Sequence, residues 1–377
     1  MDSSSAPHGR RRRWWITPVG MVSTLALLLA ACGGGDEPSD ADDAAVATDE
    51  DGDATSLTIL EWGGYEDPSF YPMFVENHPD VELDYQFGDS DSDFLTKVKA
   101  GGVSPSLVHP CAGWVGLWVD EGLAQPLDTS LLSNWDDIDE DLKAAGEIDG
   151  ESYFAPYDWG YTSMVVMTDR IEAPTSWKQL WDDEYAGRMA IWDDAEEAVV
   201  TTAYAWGLDP YDMDDDDLAF VREKLEELHA NTKTYWTGSS EVNQLLIDGE
   251  VDIAQAWTET YAAVIEEEME AEYVDPEEGR LGWVCGFIVL DEPGTPGYEM
   301  AHEYIDAMLD PSGGVSLVND WYYGHSNLAT VPEADPYVVD LIQLDDFDIR
   351  ERTNFYEPIT EETRETWHRM WTEVTAG

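Results

Sequence analysis

The sequence predicts an α/β fold built as two lobes. Three observations predict it. Short apolar segments of strand character alternate with amphipathic segments of helical period, the pattern of a largely parallel sheet with helical crossovers. The chain has 377 residues, a length that suggests two domains or lobes. Hydrophobic residues make up 43% of it, with 17 Trp and 18 Tyr, which is enough apolar surface for a packed core despite the charge.

The N-terminus reads as an export address. Arg10 to Arg13 form a basic start, and an apolar run follows from Trp14, ending in Leu29-Ala30-Ala31-Cys32 before three Gly. A charged start, an apolar middle and small residues before a cleavage point describe a signal peptide, here residues 1–31. The Leu-Ala-Ala-Cys ending resembles a bacterial lipobox, which implies lipidation of Cys32; a plain transmembrane anchor is the competing reading. The Arg run leaves open whether export is general secretory or twin-arginine. Residues 32–56 form an acidic tether: 33–55 holds nine Asp or Glu and no Lys or Arg, a self-repelling, disordered composition.

The body then alternates. Residues 57–60 form a short buried strand. A helix is expected over 68–77 with Phe70, Met73 and Phe74 inward, and a strand over 81–87. A helix over 91–100 is closed by Gly101 and Gly102, a third strand spans 106–109, and a helix over 114–121 stops at Gly122. Further on, strands are expected at 189–192, 251–257 and 283–290. Helices are expected at 218–228, 241–247, 261–270, 298–308, 315–321 and 361–372. Asp214 to Asp217 suit the N-terminus of the 218–228 helix through its dipole; their spacing does not match a calcium loop. No repeat, phosphate-cradling Gly loop or zinc spacing is present, and no cofactor is expected.

Charge excludes some partners. Acidic residues number 82 against 18 basic, for a net charge of -64; without residues 1–31 it is about -67. Nucleic acid and anionic membrane surfaces need clustered Lys and Arg, so neither is an expected partner. A cationic ligand is permitted. Such a charge also fits a protein built for high salt, where counterions screen its self-repulsion.

Several motifs in order resemble the periplasmic polyamine-binding proteins, the spermidine/putrescine receptors of ABC importers. They are Leu60-Glu61-Trp62-Gly63-Gly64-Tyr65; Pro156-Tyr157-Asp158-Trp159-Gly160; Ser176-Trp177-Lys178-Gln179-Leu180-Trp181 with Tyr185-Ala186-Gly187-Arg188; Asp193-Asp194-Ala195-Glu196-Glu197; Gly249-Glu250-Val251 before Trp257; and Tyr323-Gly324-His325-Ser326-Asn327-Leu328-Ala329. The resemblance spans nearly all of 57–377. It implies the two-lobe periplasmic-binding-protein fold, with discontinuous lobes, hinge strands and a ligand cleft between them. Lobe one would be 57–160 plus 284–333, and lobe two 161–283 plus 334–377. It also implies an extracytoplasmic, membrane-anchored monomer that delivers a small cationic solute to an ABC permease and catalyses nothing.

A polyamine needs aromatic walls for its methylenes and ammonium faces, and carboxylates at its nitrogens. On the family pattern, Trp62, Tyr65, Trp257, Trp283 and Tyr323 form the wall. Asp194 and Glu197 are the acidic pair, and Glu357 stands where an amide acceptor is usual. Trp62 and Trp257 each close an apolar strand, which places them at the loop edge. The sequence departs from the pattern at Cys111, where a Ser is usual, and at Cys285, where an Asp is usual. With Cys32 lipidated, these two Cys in an oxidising compartment are expected to pair as a disulfide. The loss of an acidic position admits a shorter diamine or another cationic solute.

Other readings stay open at this level. His109-Pro110-Cys111 admits a thiol nucleophile beside a base in an exported hydrolase. Carboxylate pairs with Trp platforms admit glycoside hydrolysis, although such pairs are too common in this composition to carry weight. A receptor for a sugar or another small solute would use the same fold and the same Trp residues, and a purely structural lipoprotein remains conceivable.

Overall fold

The computed structural model describes residue 48 and residues 54–376; the signal peptide, Cys32 and nearly all of the tether lie outside the described residues. Eight strands form the spine of one large sheet: β1 (Ser56–Glu61), β2 (Glu82–Phe87), β3 (Leu107–Val108), β4 (Ala155–Met167), β5 (Met189–Trp192), β6 (Thr232–Trp236), β7 (Ile253–Trp257) and β8 (Leu281–Val289). They hydrogen-bond in the order β2-β1-β3-β8-β4-β7-β5-β6. Ala271–Tyr273 and Gly324–His325 add short pairings to β4, and Asn354–Phe355 adds one to β8.

The expectation of a largely parallel sheet is corrected. β1 pairs in parallel with β2 and β3, and β5 in parallel with β6 and β7. The two blocks are joined through antiparallel contacts of β8 with β3 and β4, and of β4 with β7. The strand responsible was not legible. β4 is buried at all thirteen positions, so it shows no period-two alternation, and its Pro, Gly and polar residues mask its strand character.

The helices largely follow the sequence. Asp215–Asn231 opens on a capping box in which the Asp214 side chain accepts from the Asp217 N–H and Asp217 reaches back to the Asp214 N–H. The acidic run is thus a helix start. The first helix is shorter than expected, Pro72–Asn77. Phe70 and Phe74 are buried, but Met73 is exposed, a correction to its inward assignment. One core packs Phe70, Phe74, Tyr304 and Ile305 beneath β1 and β8. Another packs Trp177, Val199, Leu225 and Trp371 against β5 and the outer half of β4.

The register along β4 positions everything that follows. Cys285 of β8 lies opposite Asp158 and bridges Cys111, just beyond the carboxyl end of β3. Trp257, the carboxyl end of β7, lies opposite Thr162. β4 runs antiparallel to β7, and β3 is antiparallel to β8, so the two parallel blocks point at each other. Their carboxyl ends face across Asp158 to Thr162 of β4, about 13 Å at the rise of an extended strand. In open α/β sheets, ligands bind at carboxyl ends of strands.

Candidate functional site

The first edge carries Trp62 and Tyr65 in the turn after β1. The Trp62 indole N–H donates to the His109 carbonyl at 2.7 Å, and its ring meets Phe94 edge-on at 4.6 Å between centroids. Tyr65 is buried and its hydroxyl donates to the Asp158 carboxylate. Behind it lies a charged cluster that sequence reasoning missed. His109 Nδ1 is 2.6 Å from Glu61 Oε1, and Nε2 is 3.1 Å from Asp158 Oδ1, with all three side chains buried. Burial opposes the imidazolium, but the two carboxylates outweigh it and push the His109 pKa up to about 10. A partial signal was present: Glu61 ends β1 after the apolar pair Ile59-Leu60, and His109 directly follows the apolar β3.

The second edge carries the acids. Asp194 follows β5 and caps the helix Ala195–Ala205, its carboxylate accepting from the Glu197 N–H at 2.9 Å. Glu197, one turn in, is buried. Gln255 Nε2 donates to one of its oxygens at 3.0 Å and the Tyr356 hydroxyl to the other. Burial, followed by the nearby Asp194 and Glu196 charges, pushes its pKa up to about 8. Burial also raises Asp194 and moves Glu196 to about 6. Trp257 ends β7 with its ring perpendicular to those of Trp192 and Trp236, at 5.1 and 5.3 Å.

Between the edges lie Trp283 and Tyr323, perpendicular at 4.9 Å. Trp283 covers Gly160 of β4 so closely that a Cβ there would come within 2.5 Å of the indole. Its indole N–H is buried without a hydrogen-bond partner among the described residues. Gly160 is therefore required by packing on the aromatic wall. Cys111 and Cys285 are joined as a disulfide, so no free thiol stands beside His109 in this structure. Glu357 is exposed, and its backbone N–H donates to the Tyr211 hydroxyl oxygen at 3.0 Å.

Arg364, also missed, joins the two edges. It projects from the C-terminal helix Glu361–Thr375, where one of two Arg among Glu residues gives no sequence signal. Nη1 donates to Glu196 Oε2 at 2.6 Å and Nη2 to the Gly113 carbonyl at 3.0 Å, while the guanidinium lies 3.8 Å from the centre of the Trp114 ring. Nearby, Asp91 accepts from the Cys111 N–H at 2.8 Å, and burial moves its pKa up to about 7. Among the described residues no cluster of three or more His, Cys, Asp or Glu is placed to hold a metal, and no helix is long and apolar enough to cross a membrane. A separate cleft of about 750 Å³, lined by Tyr261, Tyr273, Arg280 and Asp346, contains none of the residues singled out from sequence.

Residues 74–339, more than half of the chain, match the family described as bacterial extracellular solute-binding protein. The spermidine/putrescine-binding periplasmic protein of Salmonella typhimurium is 25% identical over 298 residues, covering 78% of this chain and 83% of that protein. The putrescine/cadaverine-binding protein of Pseudomonas aeruginosa is 23% identical over 346 residues, covering 85% and 94%. A crystal structure of a spermidine/putrescine ABC transporter substrate-binding protein from Streptococcus pneumoniae superposes with a TM-score of 0.71 at 23% identity, covering 86% of this chain and 99% of that one. The fold is that of the two-lobe periplasmic binding proteins, and with the family match spanning β2 to β8 the chain belongs to the bacterial extracellular solute-binding proteins.

Proposed function

We propose that this protein is the extracytoplasmic receptor of an ABC importer and binds a polyamine-like cation of the putrescine or spermidine type between two closing lobes. The observation that carries the reading is the facing of two edges. One presents Trp62 and Tyr65, the other Asp194, Glu197 and Trp257, with Trp283 and Tyr323 between them. Aromatic faces suit methylenes and ammonium groups, and carboxylates suit the nitrogens. The names of the relatives point the same way. The lobes are 57–160 plus 284–333 and 161–283 plus 334–377, with β4 and β8 as the strands that pass between them. Glu357 sits at the rim and contributes an acceptor when the lobes close.

Binding shifts a hinge equilibrium toward the closed form, and the joined surface is what a permease meets. The protein performs no chemistry. It acts as a monomer, held to the membrane by a lipid on Cys32 after removal of residues 1–31, with 32–56 as its leash.

Calorimetry at molar salt tests the reading with putrescine, spermidine, a betaine-type cation and a neutral sugar. Saturable binding of a polyamine with negative heat-capacity change is expected. Binding of the sugar with indifference to every cation would replace the polyamine by a sugar on the same fold.

A further inference from the structure

We propose that Arg364 is a built-in cation that closes the Cys111 end of the cleft and restricts the site to a short diamine. This rests on the reading of the site as a cation receptor. The guanidinium has the partners an alkylammonium would seek. An indole face lies beneath it at 3.8 Å, a carboxylate oxygen at 2.6 Å and a backbone carbonyl at 3.0 Å. These partners come from both edges. Glu196 stands in the first turn of the helix after β5, whereas Gly113 and Trp114 follow β3. The side chain is only 16% exposed, so the charge is fixed where it lies.

The surrounding charges support the assignment. Arg364 acts electrostatically on Asp91, Asp194 and Glu196, three of the carboxylates on this side of the cleft. Cys111, two residues before Gly113, is tied to Cys285 and adds no charge. Among the described residues Asp194 and Glu197 have no direct ion pair, which suits a ligand of two amines. A third ammonium at about 6 Å from the guanidinium would be disfavoured by up to about 100-fold at an effective dielectric of about 20, less the part that the Glu196 carboxylate offsets. A residue that merely tied the two edges together would weaken all ligands alike. A resident cation discriminates by ligand length and charge.

The test is calorimetry of putrescine and spermidine at molar salt with the full chain and its Arg364→Ala and Arg364→Lys variants. Circular dichroism confirms that each is folded. The wild type is expected to favour putrescine. Arg364→Ala is expected to move the affinity ratio at least tenfold toward spermidine, and Arg364→Lys to restore the wild-type preference. An unchanged ratio in Arg364→Ala, or a wild type that favours spermidine, overturns the assignment while leaving the polyamine reading in place. A wild type that binds neither amine removes the polyamine reading itself, and the assignment with it.

Discussion

His109 Nδ1 lies 2.6 Å from Glu61 Oε1 in a site that excludes solvent, and the Asp158 carboxylate stands on the other side of the ring. One cation thus holds two buried carboxylates at the root of the cleft. Replacing it by alanine leaves both acids without their cation. His109→Ala is expected to cost about 3–5 kcal/mol of stability, the usual effect of breaking a buried pair. Urea unfolding at molar salt and pH 7 measures it. A loss below about 1 kcal/mol, the scale of a surface pair, would mean that the acids are protonated in the native state.

The same pair sets a pH dependence. His109 is held at about 10 when folded, above the ordinary value near 6.5 that it takes when unfolded. Its contribution is complete below about pH 6.5. Above that, the unfolded chain gives up its proton while the folded one keeps it, so the contribution is lost as the pH rises through about 10. The melting temperature should fall across this range in the wild type and fall less in His109→Gln. Parallel curves would remove the imidazolium from the account.

Sequence made the two parallel blocks legible, because their strands are short apolar runs bounded by turns and their helices carry clear starts such as Asp214. It did not make β4 legible, although β4 sets the register of the whole site. A strand buried on both faces loses the alternation by which strands are recognised. The site divides in the same way. Trp62, Asp194 and Trp257 stand in motifs and at strand ends, so their placement could be anticipated. Arg364 meets Trp114 across 250 positions of chain, and His109 meets Glu61 and Asp158 from three different strands. Glu61 and His109 stand out singly as polar residues at the ends of apolar runs, but which residues pair is a product of topology and leaves no local pattern.

The Cys111–Cys285 bond closes a loop of 174 residues and ties the segment after β3 to β8. On the chain-entropy model such a closure stabilises by about 5 kcal/mol. Both residues fall within lobe one as proposed, so the bond should leave hinge motion free. Cys111→Ser with Cys285→Ser is expected to lower the urea midpoint while retaining ligand binding. Non-reduced peptide mapping of exported protein should recover the cross-linked pair. Two freely alkylated thiols would refute the bond.

Salt dependence follows from a net charge of -64. At about 0.01 M ionic strength the Debye length reaches ~30 Å, so carboxylates repel across the whole body and expansion is favoured. The melting temperature should drop markedly between molar and 0.01 M salt, as ~30 Å is comparable to a small domain. An unchanged value would argue that the acids are spread too evenly to destabilise the fold and would remove the case for adaptation to high salt.

On the proposed reading, Glu197 couples ligand capture to proton release. Its carboxyl is buried, accepts from Gln255 and Tyr356, and is raised to about 8, so near neutral pH it is largely protonated before ligand arrives. An ammonium demands the carboxylate, and binding must expel the proton. Affinity for putrescine should therefore rise between pH 6 and 8, by up to about tenfold per pH unit when one full proton is released. Asp91 and Glu196 titrate in the same range, at about 7 and about 6, so the variant has to separate them. Glu197→Gln should flatten most of the pH dependence, whereas Glu197→Ala or Asp194→Ala should weaken binding by about 2–5 kcal/mol. Calorimetry in buffers of different ionisation heat counts the protons directly. Wild-type affinity in the alanine variants, with no proton released, would move both carboxylates out of the ligand site and leave Trp62, Trp257 and Trp283 as walls of an uncharged pocket.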